Sequence, residues 1–236
     1  MSLATWWRGD FLPALPPLNN FQVRKMQSEA LLTGSCRLDG REIQRRLQQG
    51  HLPYVGLLGG VPVAYGWVAT RRAAIGELGL DFRLPPLHRY LWDFATLPAY
   101  RGQGIYPHLL QGILLQELGV AHYFWIIRAP ENGASGAGIH KAGFTAVGHL
   151  SLLANGRTAL AVTADWERAA AGAALLGVPL VESSISPCWH CGGADYPAAA
   201  GAATCSCQPA YLEEMADCAC VSESVLFHPV YQATPA

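Results

Sequence analysis

Two groups of residues in this chain have types and spacings that could do chemistry. The first is Arg101-Gly102-Gln103-Gly104-Ile105-Tyr106-Pro107. Two glycines let the backbone turn sharply and bring several N–H groups to one point at the positive end of the helix that follows, which makes a cradle for an anion. Pro107 suits the first turn of that helix, where a missing N–H costs nothing. Leu109, Leu110, Ile113, Leu114 and Leu118 give the helix one buried face. A glycine turn alone does not say which anion it holds, because many strand-to-helix turns carry glycine and bind nothing. The second group is cysteine. Six of the seven lie near the end as Cys188-x2-Cys191, Cys205-x-Cys207 and Cys218-x-Cys220, separated by thirteen and ten residues. In Cys188-Trp189-His190-Cys191 a tight turn would aim two thiolates at one ion, and a later pair would complete a tetrahedral site.

The elements that must position the first group follow from periodicity and turn signals. Residues 21–33 (Phe21, Val23, Met26, Ala30, Leu31) and 39–49 (Ile43, Leu47, with Asp39 as N-cap) read as two short helices, the second ending at Gly50. Tyr54–Leu58 and Val61–Thr70 read as a hairpin around Gly59-Gly60. A strand over His88–Leu97 then leads into the glycine turn, a helix over Tyr106–Leu118 and an apolar strand over Ala121–Ile127. A helix over Asn132–Ala142 follows, then the segments Phe144–Leu153 and Thr158–Thr163 around Asn155-Gly156. This order predicts an α/β fold with a mixed central sheet flanked by helices. It is not a dinucleotide-binding unit. The full G-x-G-x-x-G is absent, and Ile126-Ile127-Arg128 stands where a ribose-binding acid would end the next strand.

The chain has 236 residues, 51% of them hydrophobic and 14% charged, enough to bury a core and too apolar for a disordered chain. No apolar run reaches the ~18 residues of a membrane span, and Met1–Asp10 lacks a signal-peptide pattern. The expectation is a cytoplasmic protein with no membrane partner and reduced cysteines. Residues 1–163 carry 15 Lys/Arg against 9 Asp/Glu, a balance of +6, whereas 164–236 carry one against eight, a balance of −7. We therefore expect two parts, a domain over 1–163 and a cysteine-rich extension over 164–236 that opens with a helix over Asp165–Leu176. A basic first part suits an anionic ligand, while the lack of a dense Lys/Arg stripe argues against nucleic acid.

Arg101–Tyr106, preceded by a strand ending in Pro98-Ala99-Tyr100, resembles motif A of the GCN5-related N-acetyltransferases (GNAT), R/Q-x-x-G-x-G/A. Asn132-Gly133-Ala134-Ser135 and Lys141-Ala142-Gly143-Phe144 are similar to that family's N-x-x-S and K-x-G-F segments. The resemblance spans roughly residues 20–163. It implies an acyl-CoA-binding N-acyltransferase, with acetyl-CoA or another acyl-CoA as cofactor. Its pyrophosphate would rest on Arg101, Gly102, Gln103, Gly104, Ile105, Tyr106 and Pro107, and its pantetheine arm beside Phe94, Ala95 and Thr96. Arg101 would add charge to that site or stay solvated, and Asn132 with Ser135 would bond the pantetheine or cap the next helix. The reaction implied is direct attack of a small-molecule or protein amine on the thioester in a ternary complex, with a backbone N–H at a bulge of the central strand stabilising the oxyanion. Cys36, far upstream, reads as a small buried residue.

Three departures bear on the chemistry. Tyr106 stands where the motif has Gly or Ala, so its ring must point away from the phosphates. Ile139 stands where many relatives carry an acidic tyrosine, and neither Ile126 nor Ile127 supplies the glutamate base of some relatives. His140 is the remaining acid candidate. Asp93, ahead of Glu77 and Asp81, is the base candidate, since a carboxylate in an apolar strand needs a partner or a purpose. Tyr65 and Trp67 would line the acceptor groove, with core packing as the alternative. The apolar Ile139 also admits a second reading, a catalytically silent CoA-binding module that acts through protein contacts. In the tail, the acidic segment is too poor in core to fold without a staple, and a structural zinc on Cys188, Cys191, Cys205 and Cys207 is the preferred reading, with six thiolates and His190 sharing more than one ion, an Fe–S cluster, and disulfides or no cofactor as the alternatives. The tail's use stays open between capping the acceptor groove, forming a homodimer and recruiting a protein substrate.

Overall fold

Neighbouring residues in the strands of this chain enter different cores, and that alternation lays out the architecture. In the first strand, β1 (Ser2–Trp7), Leu3 packs with one buried cluster and Ala4 with another. The computed structural model describes residues 1–26, 39–153 and 157–182. Cys36, the turn at Asn155-Gly156 and the six tail cysteines lie outside the described residues.

After β1 come β2 (Phe21–Lys25), α1 (Gly40–Gln48), β3 (Leu52–Leu58), β4 (Val61–Ala69), β5 (Arg72–Ile75), β6 (Leu80–Arg83) and β7 (His88–Thr96). Then follow α2 (Ile105–Glu117), β8 (Tyr123–Arg128), α3 (Gly133–Lys141), β9 (Thr145–Leu152), β10 (Thr158–Val162), α4 (Trp166–Leu176) and β11 (Leu180–Val181). One mixed sheet runs β11-β10-β9-β1-β8-β7-β4-β3-β2, and β5 with β6 forms a small second sheet. The expected α/β class with a mixed central sheet is the one that forms. On one face Leu109, Leu110, Ile113 and Leu114 of α2 and Ile139 of α3 pack with Val68, Leu91, Phe124 and Ile126. On the other, α4 packs on Leu3, Trp125 and Leu160, while Ile43 of α1 packs on Val55 and Trp67.

The hairpin, the strand before the glycine turn, α2, β8 and α3 form where periodicity placed them. Asp39 caps α1 by accepting the Glu42 N–H at 2.7 Å. Residues 21–25 do not form the expected helix; they are β2, antiparallel to β3. Tertiary contacts decide this, because Phe21 and Val23 each fit a glycine opposite. A Cβ at Gly56 would lie 2.8 Å from the Phe21 ring, and one at Gly112 of α2 would lie 2.4 Å from Val23. β1 was not foreseen either. It inserts between β8 and β9, antiparallel to both, with Leu3 and Thr5 wholly buried. The boundary expected at residue 163 assigned the next helix to the extension. That helix, α4, shares a core with the sheet, and β11 extends the sheet in parallel with β10.

A buried carboxylate joins β3, β7 and α2. Glu117, 3% exposed, accepts from the Tyr54 hydroxyl at 2.6 Å and from Arg89 Nε at 2.7 Å. Burial and that carboxylate push the Tyr54 phenol well above its ordinary value. Glu117→Ala would leave a guanidinium and a phenol without their buried partner, and urea unfolding should show a loss of about 3–5 kcal/mol.

Candidate active site

The site begins where two parallel strands stop pairing. β7 and β8 are in register from His88↔Tyr123 to Leu91↔Ile126, and no further, although β7 runs on to Thr96 and β8 to Arg128. On its other edge β7 stays with β4 but slips. Trp67 lies opposite Trp92 while Tyr65 lies opposite Ala95, so Gly66 faces one residue too many. That is a β-bulge, which bends and twists its strand. Asp93, at the bulge, has φ +50°, a left-handed conformation that aspartate tolerates better than most side chains. The Phe94 ring fills the space beside Gly66, where a Cβ would come within 2.0 Å of it. The bend carries β7 away from β8 and opens a wedge through the sheet.

On the α1 face the bulge is held by a buried cation. Arg46 is 3% exposed, pairs with the Asp93 carboxylate and donates from Nε to Glu42 at 2.7 Å. Its guanidinium lies 5.0 Å from the Trp67 ring centroid and 4.3 Å from that of Trp92. The Trp92 indole N–H donates to His51 Nδ1 at 3.0 Å. Burial first, then the nearby Arg46 and Arg45, lower the His51 pKa from 6.5 to about 4. The imidazole is therefore neutral at pH 7, with its remaining proton on Nε2.

On the α2 face stands the glycine turn. Gly102 and Gly104 have φ +75° and +76°, and residues 101–104 are exposed. No side chain caps α2, and the backbone N–H groups of residues 102–106 donate to no acceptor among the described residues. Three side chains fix the turn instead: Arg101 Nε donates to the Thr96 carbonyl at 3.2 Å, Gln103 to the Ala99 carbonyl at 3.2 Å, and His108 Nδ1 lies 2.7 Å from the Gly104 carbonyl. A cradle of free N–H donors thus sits one turn beyond the end of β7. This donor set fits a diphosphate, which needs convergent N–H groups and a helix N-terminus.

The other residues singled out in the sequence divide between the wedge and the rest of the fold. Tyr106 points away from the turn; its ring packs 5.5 Å from the Phe94 ring, and its hydroxyl lies 3.4 Å from Ser135 Oγ. Asn132 is the N-cap of α3 and accepts the Ser135 N–H at 2.9 Å. Ala95 is exposed and Thr96 half-buried; with Tyr65 and Arg101 they line a cavity of about 60 Å³. Ile139 is 4% exposed and belongs to the core, whereas His140 beside it is exposed in the last turn of α3. Trp67 is fully buried beneath Arg46, so of the two expected groove aromatics only Tyr65 reaches the surface. Glu77 and Asp81 lie away from the wedge at β5 and β6, where Asp81 accepts from Arg72 at 2.6 and 2.8 Å.

Arg46, His51 and Trp92 escaped the sequence reading. A signal for Arg46 exists, since it occupies the apolar stripe of α1 between Ile43 and Leu47, three residues from one and adjacent to the other, where a solvated arginine has no place. Among the described residues no three His, Cys, Asp or Glu converge as metal ligands, and no helix is long and apolar enough to cross a membrane.

Residues 20–144 match the model of the Acetyltransferase (GNAT) family. No curated protein matches the chain. Among solved structures, an aminoglycoside antibiotic 6'-N-acetyltransferase from Acinetobacter baumannii is similar at 18% identity, over 53% of this chain and 90% of its own, with a TM-score of 0.39. A GCN5-related N-acetyltransferase from Kribbella flavida is similar at 19% identity, over 61% and 53%, with a TM-score of 0.38. An acetyltransferase of Trypanosoma brucei is similar at 17% identity, over 56% and 98%, with a TM-score of 0.40.

The buried imidazole makes stability depend on pH. The unfolded chain binds a proton at His51 near pH 6.5 and the folded chain only near 4, so stability is lost as pH falls through that interval. The loss should approach about 3 kcal/mol. His88 and His149 are lowered in the same sense by burial, so the contribution of His51 is read as a difference. Denaturant titrations between pH 7 and 4 should show a shallower decline for His51→Gln than for the parent protein.

Proposed function

The chain belongs to the GNAT acetyltransferase family and is an acyl-CoA-dependent N-acyltransferase; on that premise we propose that it passes an acetyl group directly from coenzyme A to an amine in a ternary complex. The observation that carries this reading is the row of unsatisfied N–H groups over residues 102–106 beside a wedge that runs through the sheet. Gly102 to Tyr106 hold the pyrophosphate, with Arg101 adding positive charge at the edge. Phe94, Ala95 and Thr96, on the part of β7 that has left β8, hold the pantetheine arm. The bound thioester supplies an activated acyl carbonyl. A backbone N–H at the bulge by Asp93 stabilises the oxyanion as it forms.

The amine approaches from the α1 face. Asp93 offers its carboxylate there, and Arg46 shares that carboxylate, so Asp93 acts by attracting and orienting the amine, while water removes its proton. The exposed His140 gives no support to a role at the thioester. The burial of Ile139 is the observation that favours the second reading, a CoA-binding module without turnover.

The tail adds a separate proposal. Its cysteine pairs are spaced for a structural zinc on Cys188, Cys191, Cys205 and Cys207.

Three measurements test these readings. Acetyl-CoA incubated with the protein and a panel of primary amines (polyamines, aminoglycosides and peptides) should release CoA in an amine-dependent way. Gly104→Val, a β-branched residue forced to φ +76°, should weaken CoA binding about tenfold or more. Tight CoA binding with no turnover across the panel would leave the module as the correct reading. For the tail, protein purified under reducing conditions should carry about one zinc per chain, released by a thiol-reactive agent; metal-free protein would overturn the assignment.

A further inference from the structure

Among the described residues three non-glycine positions have positive φ: Asn20 at +59°, Leu87 at +67° and Asp93 at +50°. Asn20 and Leu87 stand in turns just ahead of β2 and β7, where a left-handed residue is an ordinary way to redirect the chain. Asp93 lies inside a strand, and its conformation is strained for aspartate as it would not be for glycine. Its neighbours are fixed by contacts of their own. The Trp92 indole donates to His51 at 3.0 Å, and the Phe94 ring fills the space beside Gly66 and lies 5.5 Å from the Tyr106 ring. Asp93 is held through its carboxylate, and Arg46 of α1 is what holds it. Arg46 is itself immobile: Nε donates to Glu42 at 2.7 Å, Glu42 accepts twice more from Arg45 at 2.7 Å, and the guanidinium lies against the Trp67 and Trp92 rings.

We propose that Arg46 is a positioning residue for acyl transfer: by gripping the Asp93 carboxylate from α1 it keeps residue 93 left-handed, and so keeps the backbone donor of the bulge where the carbonyl oxygen gathers charge. The inference rests on the acyl-CoA reading above and concerns that donor alone. Arg46 is 3% exposed and acts only through Asp93. Two properties of Asp93 are thereby separated, since its carboxylate meets the amine while its backbone conformation serves the oxyanion, and Arg46 governs the second. Without the guanidinium the carboxylate, whose side chain is 30% exposed, turns to water, and the strand relaxes toward the extended φ of its neighbours. A shift of about 1 Å in a donor is enough to lose most of its effect on rate. The cradle over residues 102–106 is tied by its own side chains to Thr96, Ala99 and Gly104, so cofactor affinity and rate part company.

The full chain is compared with Arg46→Met, which keeps an unbranched side chain against the two indoles, and with Arg46→Met/Asp93→Gly, in which glycine takes φ +50° without an ion pair. The probe is acetyl-CoA isotopically labelled at the thioester carbonyl, whose infrared stretch reports the hydrogen bond to that oxygen with no acceptor present. The bound stretch should rise in Arg46→Met and return in the double variant. With a productive amine, kcat should fall about a hundredfold in Arg46→Met while acetyl-CoA affinity changes less than about threefold. The double variant should recover at least about tenfold of that loss, its amine KM staying high because the carboxylate is gone. An unmoved stretch in Arg46→Met would overturn the proposal, as would a double variant no better than the single one. A loss of acetyl-CoA affinity matching the loss of rate would also overturn it and make Arg46 a residue of the fold alone. Should Arg46→Met fail to fold, Asp93→Gly is compared with Asp93→Ala. Both lack the carboxylate and only glycine is at ease in the left-handed region, so a lower stretch and about tenfold higher kcat in Asp93→Gly support the assignment, and equal values end it. An unaltered protein that binds no acetyl-CoA would sink the acyl-CoA reading itself, a different result from equal variants with acetyl-CoA bound.

Discussion

The interruption of hydrogen bonding between β7 and β8 after Leu91↔Ile126 is the constraint on which the site depends. Parting two parallel strands in the middle of a sheet strips backbone groups of their partners, a cost that only a ligand or water can offset. The bulge at Asp93 forces the parting, and Gly66 permits the bulge by leaving its side-chain volume to Phe94. What results is an opening with backbone donors along one wall, a helix N-terminus at its mouth and a different chemistry on each face. The uncharged rings of Phe94 and Tyr106 pack together on the side of α2 and α3, while the carboxylate of Asp93 meets Arg46 of α1.

The second constraint is the arginine that keeps the bulge in place. A buried guanidinium is costly to desolvate, and its favourable terms must come from close partners. Arg46 finds all of them on three elements: Glu42 on its own helix, Asp93 and the Trp92 ring on β7, and the Trp67 ring on β4. The cation thereby welds α1 to the one irregular residue of the central strand. His51, neutral and bonded to Trp92, completes the apolar collar without adding a competing positive charge.

Much of the fold was legible because the relevant signals were local. Gly59-Gly60 between two apolar runs, the glycine turn before a helical stripe, and Asp39 and Asn132 as caps each follow from near neighbours in sequence, and each is found in place. What was not legible depended on distant partners. Phe21 and Val23 alternate too briefly to separate strand from helix, and only Gly56 and Gly112, tens of residues away, decide between them. β1 gave no pattern because a strand buried on both faces shows no alternation. The same logic divides the site. The cradle over 102–106 lies in one contiguous stretch and was read from it, whereas the Arg46–Asp93 pair joins residues 47 apart and required the fold.

The position of β1 has a temporal side. Its partners are residues 123–128 on one edge and 145–149 on the other, so during synthesis this strand waits for them until more than a hundred residues have followed. Contacts so far apart in sequence close large loops and form slowly. Until they form, β8 has one edge open and the other paired with β7 over only four positions. The wedge is thus a late acquisition of the folding chain, and a nascent molecule would hold a finished anion cradle before it held a finished active site.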